Sequence, residues 1–343
     1  MCGLLANAHH GKSRRLLLGL LGLLVFSTVV PAQKVIWTDG MSVYVGNQDG
    51  SGPVGTLFDS SDGLDTPYGV VVDVEAGKLY VADDGVRKIL VGSLDGSGTL
   101  QNLFVGLGFP QAMAIDVAGG KLYWVDDQQF RIVVGNLDGS GTPTELYSPG
   151  IGRLRGIAVD GLSGKVYWST NQDGIQIGNA DGSGLLGFLH DPPGDSGGTI
   201  QGIALDVANG KIYWCDISND KIMVGNLDGS GAPVELYGES GEANSPYDIA
   251  LDPDDNEIFW VDNSPRRIVS GNLSGTGPPN LLYDSGFSSP LHLTLIPSPP
   301  DILSMIPPGA PASSSFGVVV SIVLFVLCGW AVTRRILKTP VSH

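Results

Sequence analysis

The sequence predicts an all-β chain: a closed six-bladed β-propeller of four-stranded blades, carried between two apolar end segments. Three observations lead there. A short aromatic-rich pattern recurs six times, its last residues spaced 44, 43, 44, 46 and 46 positions apart, and a period in the forties marks a repeat architecture. Each period holds four short runs of alternating β-branched and aromatic residues bounded by Gly, Asn and Asp, the signature of strands joined by tight turns. The first period lacks one such run, and one extra run follows the sixth.

The elements can be justified in chain order. Residues 1–32 read as a signal peptide, because Lys12, Arg14 and Arg15 precede an apolar run from Leu16 to Phe26 and Val30-Pro31-Ala32 supplies the small residues of a cleavage site. Residues 33–296 form the propeller. Its six patterns are Ile36-Trp37-Thr38-Asp39, Tyr80-Val81-Ala82-Asp83, Tyr123-Trp124-Val125-Asp126, Tyr167-Trp168-Ser169-Thr170, Tyr213-Trp214-Cys215-Asp216 and Phe259-Trp260-Val261-Asp262. Around Tyr213 the four strands read GIALD (202–206), KIYWCD (211–216), KIMVGNLDG (221–229) and PVELY (233–237). No run has helical periodicity. Gly makes up 50 of the 343 residues because nearly every turn uses it, positive φ being free of steric penalty there.

The strand missing from the first period is Leu291 to Ile296, which is expected to pair with Lys34 to Asp39 and close the ring from both ends. Residues 297–315 are a Pro/Ser-rich stalk. Residues 316–333 then run 18 positions without a charge and are expected to form a transmembrane helix. Arg334, Arg335 and Lys338 lie in a short basic tail, 334–343, which orients the tail to the cytoplasmic side.

Charge and cysteine usage narrow the function classes. All 35 Asp and Glu fall in residues 33–315 with 13 of the 19 Lys and Arg, so this portion carries a formal charge of −22. Nucleic acid is excluded as a partner, and the plausible ligands are an extracellular protein or a glycan. Cys2 and Cys328 belong to the two end segments, which leaves Cys215 alone in the propeller with no intrachain disulfide partner. An exported domain without a staple needs one large cooperative core.

The repeated motifs resemble the LDL-receptor class B, or YWTD, repeat: a GIALD strand, then YWCD, then a strand ending in NLDGSG, over residues 34–296. The resemblance implies a six-bladed propeller in which the aromatic pair packs between blades and the aspartate bonds backbone groups that tie neighbours together. That role falls on Trp37, Tyr80, Tyr123, Trp124, Tyr167, Trp168, Tyr213, Trp214, Phe259 and Trp260, and on Asp39, Asp83, Asp126, Asp216 and Asp262. Three positions depart from the pattern. Thr170 lacks the charge, Val81 replaces a tryptophan and Ile36 replaces the first aromatic, so looser packing is expected in those blades.

Several motifs invite chemistry and do not sustain it. Gly194-Asp195-Ser196-Gly197-Gly198 matches the surroundings of a trypsin-type nucleophile, but the histidines before it are His9 and His10, in the signal segment, and His190, and the triad requires an unrelated double barrel. The string occupies a loop between blades. The segment from Asp252 to Glu257 begins like an EF-hand loop but lacks the sixth-position glycine and the terminal glutamate. Cys215, inside a strand, reads as a small buried hydrophobe. Asn272 heads the sequon Asn272-Leu273-Ser274, of consequence if the host glycosylates.

The expected function is that of a membrane-anchored, extracytoplasmic, non-catalytic binding or adhesion module. First-to-second and third-to-fourth strand hairpins barely vary along the chain, whereas the opposite connections vary and carry Arg87, Phe109, Phe130, Arg153, Arg155, His190, Arg266, Arg267 and Phe287. Exposed aromatics and arginines dominate interface energetics, so these nine form the candidate binding rim. Two alternatives stay open: a propeller enzyme of the gluconolactonase or strictosidine-synthase-like class with a metal in the central channel, and a surface-attached structural protein clipped at its C-terminal end. No cofactor is expected, calcium being possible without specific support. The expected location is the cell membrane, single-pass, with the propeller outside.

Overall fold

The computed structural model describes residues 33–148, 153–171, 174–190, 198–238, 241–284 and 286–296. The chain divides into Met1–Pro31, outside the described residues, and Ala32–His343, which holds the whole ring. The signal peptide, stalk, transmembrane segment, tail and Ser196 expected from the sequence all lie outside the described residues. Among the described residues no helix is long and apolar enough to cross a membrane.

Among the described residues, twenty-four strands, β1 to β24 in chain order, form six antiparallel four-stranded sheets. Blade I takes its inner strand from the C-terminal side, in the order β24 (Pro290–Ile296), β1 (Lys34–Asp39), β2 (Ser42–Asn47) and β3 (Gly55–Phe58). Blades II to VI are each continuous in sequence, over 67–105, 110–147, 154–190, 200–237 and 246–283. Their inner strands are β4 (Pro67–Asp73), β8 (Pro110–Asp116), β12 (Leu154–Asp160), β16 (Ile200–Asp206) and β20 (Pro246–Asp252). Each inner strand touches the next around the ring, and β24 touches both β20 and β4.

The seam is a full ladder. Lys34 pairs with Ile296, Val35 with Leu295, Ile36 with Thr294 and Trp37 with Leu293, after which a bulge brings Asp39 opposite Pro290. Pairing the two chain ends inside one blade leaves no blade open at its inner edge, so unfolding either end costs the whole sheet.

Packing between blades follows one rule repeated six times. The last aromatic residue of each outer strand lies over the third-strand glycine of the following blade: Phe58 over Gly92, Phe104 over Gly135, Tyr147 over Gly178, His190 over Gly225, Tyr237 over Gly271 and Tyr283 over Gly46. A Cβ at any of these glycines would sit 2.5 to 2.7 Å from a ring atom, so no side chain fits without moving the ring. In five blades that ring also stacks on the repeat tryptophan, at 5.1 to 5.5 Å between centroids. Such pairs add about 0.5 to 1.5 kcal/mol beyond the area they bury. Val81 and Ile36 are fully buried like the tryptophans; what Val81 costs blade II is the ring stack.

The repeat aspartates of blades I, II, III and VI clamp the loop that enters their own blade, whereas in blade V the Thr199 amide donates to the Ser218 hydroxyl at 2.8 Å. Asp83 accepts from the Asp65 and Thr66 amides at 2.8 and 3.0 Å and from Val86 in the next turn at 3.1 Å. Asp39 accepts from the Ser288 amide and hydroxyl at 2.9 Å, tying the seam. In blade IV, where Thr170 stands in place of aspartate, the neighbouring Asn171 takes over, its Oδ1 accepting from the Arg153 amide at 2.7 Å.

Candidate functional site

The two faces of the ring differ in kind. On one face, the third-to-fourth strand turns are near copies: the side-chain oxygen of Asp49, Asp95, Asp138, Asp181 or Asp228 accepts from a serine amide two residues on at 2.9 Å. Serine hydroxyls first, and these amides after them, hold each of the five carboxyls below the usual range; Asp95, bonded also by the Ser93 hydroxyl, lies at about 2. In blade VI, Asn272 plays that part towards Ser274, which occupies the side-chain oxygen of the sequon asparagine. A turn that satisfies its own polar groups offers little to a partner.

The opposite face is formed by the turns between second and third strands and by the loops that lead into each blade. Here the nine sequence-chosen residues separate into two groups. Arg87 lies with its guanidinium 4.9 Å from the centroid of the Phe109 ring, a cation–π contact that links the blade II turn to the loop entering blade III. Phe130 occupies the corresponding turn position in blade III, with φ +50° and 44% exposure. Arg153 is half exposed and grips buried Asp127 through Nε at 2.9 Å and through its NH2 group. Arg155, two residues on in β12, is partly buried and its Nε has no hydrogen-bond partner. Arg266 is exposed at the blade VI turn.

The remaining three serve the scaffold. His190 is buried, stacked on Trp214 at 5.3 Å, with Nε2 2.8 Å from the Asn226 carbonyl. It fills the slot where Tyr147, Tyr237 and Tyr283 donate to the equivalent carbonyls of Asn179, Asn272 and Asn47 at 2.8 to 2.9 Å. Arg267 donates from Nε to Asp262 at 2.7 Å and from NH2 to the Gly241 and Glu242 carbonyls at 3.3 and 3.2 Å, pinning the loop into blade VI. Phe287 packs edge-on against Trp37 at 5.7 Å.

Residues that the sequence did not single out complete this face at the axis. Tyr68 of β4 and Tyr247 of β20 meet hydroxyl to hydroxyl at 2.5 Å, on either side of β24, and the Tyr68 ring lies 4.8 Å from that of His292. Burial pushes the Tyr68 hydroxyl well above its ordinary pKa, and the neighbouring Tyr247 adds to the effect. Gln111 of β8 reaches 3.5 Å from both Asp84 and Asp127; burial raises the Asp84 carboxyl, against the Gln111 bond. Spacing alone gives no sign of this group, because Tyr68, Gln111, Tyr247 and His292 sit one or two residues into four different inner strands and Asp84 and Asp127 just beyond two second strands.

Below the tyrosines, residues from all six inner strands wall an axial cavity of about 390 Å³. Its wall is mostly aliphatic, with one acid–base pair: Asp248 Oδ2 lies 3.0 Å from His292 Nδ1 and accepts from the Leu293 amide at 2.9 Å. Among the described residues no group of three or more His, Cys, Asp or Glu side chains is placed to hold a metal ion.

No protein-family model matches the chain, and no curated protein matches its sequence. The fold is similar to that of a chain in the crystal structure of a nidogen/laminin complex, with a TM-score of 0.67 and 18% identity over 77% of this chain and 98% of that one. It is also similar to a structural-genomics protein of unknown function from Bacteroides thetaiotaomicron VPI-5482, with a TM-score of 0.56 and 12% identity over 76% of this chain and 69% of that one. At these identities the likeness establishes the six-bladed fold.

Proposed function

We propose that the chain is a non-catalytic, membrane-anchored binding module whose variable face docks an extracytoplasmic protein. One observation carries this: the asymmetry between a face of self-satisfied repeated turns and a face bearing exposed Phe130, the Arg87–Phe109 pair and the Arg153–Asp127 pair. Aromatic and arginine side chains are the types that concentrate binding energy once a partner excludes water. Chain direction agrees. Gln33 and Ile296 both lie on the hairpin face, where the Gln48 amide nitrogen donates to the Gln33 carbonyl at 3.0 Å and Lys34 pairs with Ile296. An anchor following Ile296 therefore attaches behind the ring and presents the variable face outward.

A chain in the nidogen/laminin complex shares the fold, which supports a protein ligand over a small molecule. The formal charge of −22 over residues 33–315 favours a partner with basic surface around the contact. The test is capture of extracytoplasmic proteins by the full-length chain, comparing wild type with Phe130→Ala/Arg153→Ala/Arg155→Ala. The triple variant is expected to lose about 30-fold in affinity, on the order of 2 kcal/mol, with folding intact. Loss of capture on changing the Asp138 or Asp228 turns, with the triple variant unaffected, overturns the assignment.

A further inference from the structure

Towards the hairpin face, the first three strands of a blade set three side chains in a row across one side of the sheet, because residues directly opposite in an antiparallel pair share a face. In blades III, IV and V the row is Asp–Lys–Asn: Asp116, Lys121 and Asn136; Asp160, Lys165 and Asn179; Asp206, Lys211 and Asn226. Each of these lysines donates from Nζ to the asparagine Oδ1 at 2.5 to 2.7 Å. Blades I and II keep the lysine, as Lys34 and Lys78. Blade VI does not: Glu257 stands at the centre of its row, opposite both Asp252 and Asn272.

That exchange removes a cation from a position the other blades fill. In the sister rows one carboxylate and one ammonium cancel, whereas Asp252 with Glu257 leaves a formal charge of −2. Asp252 is 3% exposed; its Oδ1 accepts from the Asp255 amide at 3.4 Å and its Oδ2 has no hydrogen-bond partner. The corresponding Oδ2 of Asp160 accepts from the Ser163 hydroxyl at 2.5 Å, and that of Asp206 from the Asn209 side-chain amide at 2.8 Å. A buried carboxylate oxygen without a partner is costly, and a cation relieves the cost. Burial raises both the Asp252 and the Glu257 carboxyl, and the Asp255 charge adds to the rise in each. Beside the pair runs a groove of about 220 Å³ whose lining includes Asp255, Asn256, Glu257, Asn272, Thr276 and Asn280, all bearing side-chain oxygens.

We propose that Asp252 and Glu257 together bind one calcium ion at this cross-strand position. Charge selects a dication, which returns the row to neutrality as lysine does in the sister blades; a single ammonium would offset only half of the excess. Donor chemistry selects a hard ion, since carboxylate and other oxygens are the ligands on offer. The Asn272 side-chain oxygen is already taken by Ser274, so water completes the shell. Two carboxylates with water make a weak site, with Kd roughly 10⁻⁴ to 10⁻³ M, the range of extracellular calcium modules. The ligands come from two paired strands, not from an EF-hand loop. Gln33, which leads into β1, donates from its side-chain amide to Asp255 in the same hairpin, so the ion would brace that hairpin where blade VI meets the closing blade.

The experiment follows thermal unfolding of the full-length chain by tryptophan fluorescence, first with a chelator and then with about 10 mM Ca²⁺ at constant ionic strength. At a Kd of about 1 mM, that concentration raises Tm by roughly 3 to 6 °C for a domain of this size. Glu257→Lys restores the row of the sister blades, so it is expected to fold and to abolish the rise. Glu257→Gln, which keeps the shape and removes one charge, is expected to lose most of it. Glu75→Lys makes the same charge change at an exposed hairpin of blade II and is expected to keep the full rise, which separates a site from general screening of an acidic surface. A wild-type Tm indifferent to calcium, a rise undiminished by either Glu257 substitution, or a rise that Glu75→Lys also abolishes each overturns the proposal.

Discussion

Replacing Gly271 with alanine tests the inter-blade packing rule directly. The added Cβ would lie 2.6 Å from Cζ and the hydroxyl of Tyr237 and 2.9 Å from Cε2, well inside van der Waals contact. Tyr237 cannot swing away freely. It is 1% exposed, stacks on Trp260 at 5.1 Å, donates to the Asn272 carbonyl at 2.9 Å and accepts from the Asn272 amide at 2.7 Å. Overpacking of this kind costs about 1 to 3 kcal/mol, and displacing the hydroxyl forfeits about 1 kcal/mol more. Alanine recovers roughly 0.5 to 1 kcal/mol because the unfolded chain is less free. The net expectation is destabilisation of about 2 to 3 kcal/mol. Urea unfolding followed by tryptophan fluorescence measures it, since Trp37, Trp124, Trp168, Trp214 and Trp260 are all buried in the ring. Tyr237→Ala alone is expected to cost about 3 to 5 kcal/mol, but adding Gly271→Ala to it costs nothing further, because the clash is gone. Additive penalties in this double-mutant cycle would falsify the reasoning.

Three further outcomes follow from the same contacts. Burial raises the Asp262 carboxyl to about 6 against hydrogen bonds from the Asn244 amide and Arg267, so its stabilising contribution is full below its unfolded value of 3.8 and is lost as pH rises through 6; the advantage of wild type over Asp262→Asn in urea unfolding should shrink by up to about 3 kcal/mol from pH 4 to pH 7, and a constant difference would refute this. His190→Ala is expected to destabilise by about 2 to 3 kcal/mol while Phe130→Ala stays within about 0.5 kcal/mol, one ring being an inter-blade wedge and the other exposed; equal effects in thermal unfolding would contradict that division. Deleting residues 291–296 removes β24 and bares the edge of β1, and light scattering should report aggregation; a soluble monomer with unchanged melting would mean that the seam is dispensable.

The ring was legible in the sequence because every blade repeats the same solution. Strand count, blade boundaries and the seam of Lys34–Asp39 against Leu291–Ile296 all follow from period and alternation, which are backbone properties and tolerate substitution. Thr170 shows where that legibility stops. The missing carboxylate implied a weakened clamp, yet Asn171, one position later, bonds the Arg153 amide in its place. Substitution of one hydrogen-bonding group by its neighbour leaves no periodic trace.

The variable face was legible as a face and not residue by residue, and His190 explains why. Its position looked singular because histidine appears once among the outer strands, yet the end of every outer strand carries a ring, as Phe58, Phe104, Tyr147, Tyr237 and Tyr283 do in the other five blades. Aligned against the Val-Gly-Asn type glycine of the next blade, which leaves room for that ring and no other side chain, His190 would have been assigned inward from the sequence alone. The same test fails for Arg153, Arg155, Tyr68 and Tyr247. Tyr68, Arg155 and Tyr247 share one inner-strand position, where the other blades carry Gln111, Gln201 and Leu291, and Arg153 stands where they carry Thr66, Phe109, Thr199, Ser245 and Ser289; neither position repeats one residue type, so within-chain comparison does not tell a scaffold contact from a ligand contact. Their convergence is a property of six strands meeting at one axis, and only the closed ring brings Tyr68 and Tyr247, 179 residues apart, within hydrogen-bond distance. Side chains at the axis can therefore vary while the outer-strand rings, third-strand glycines and aspartate clamps hold the blades unchanged.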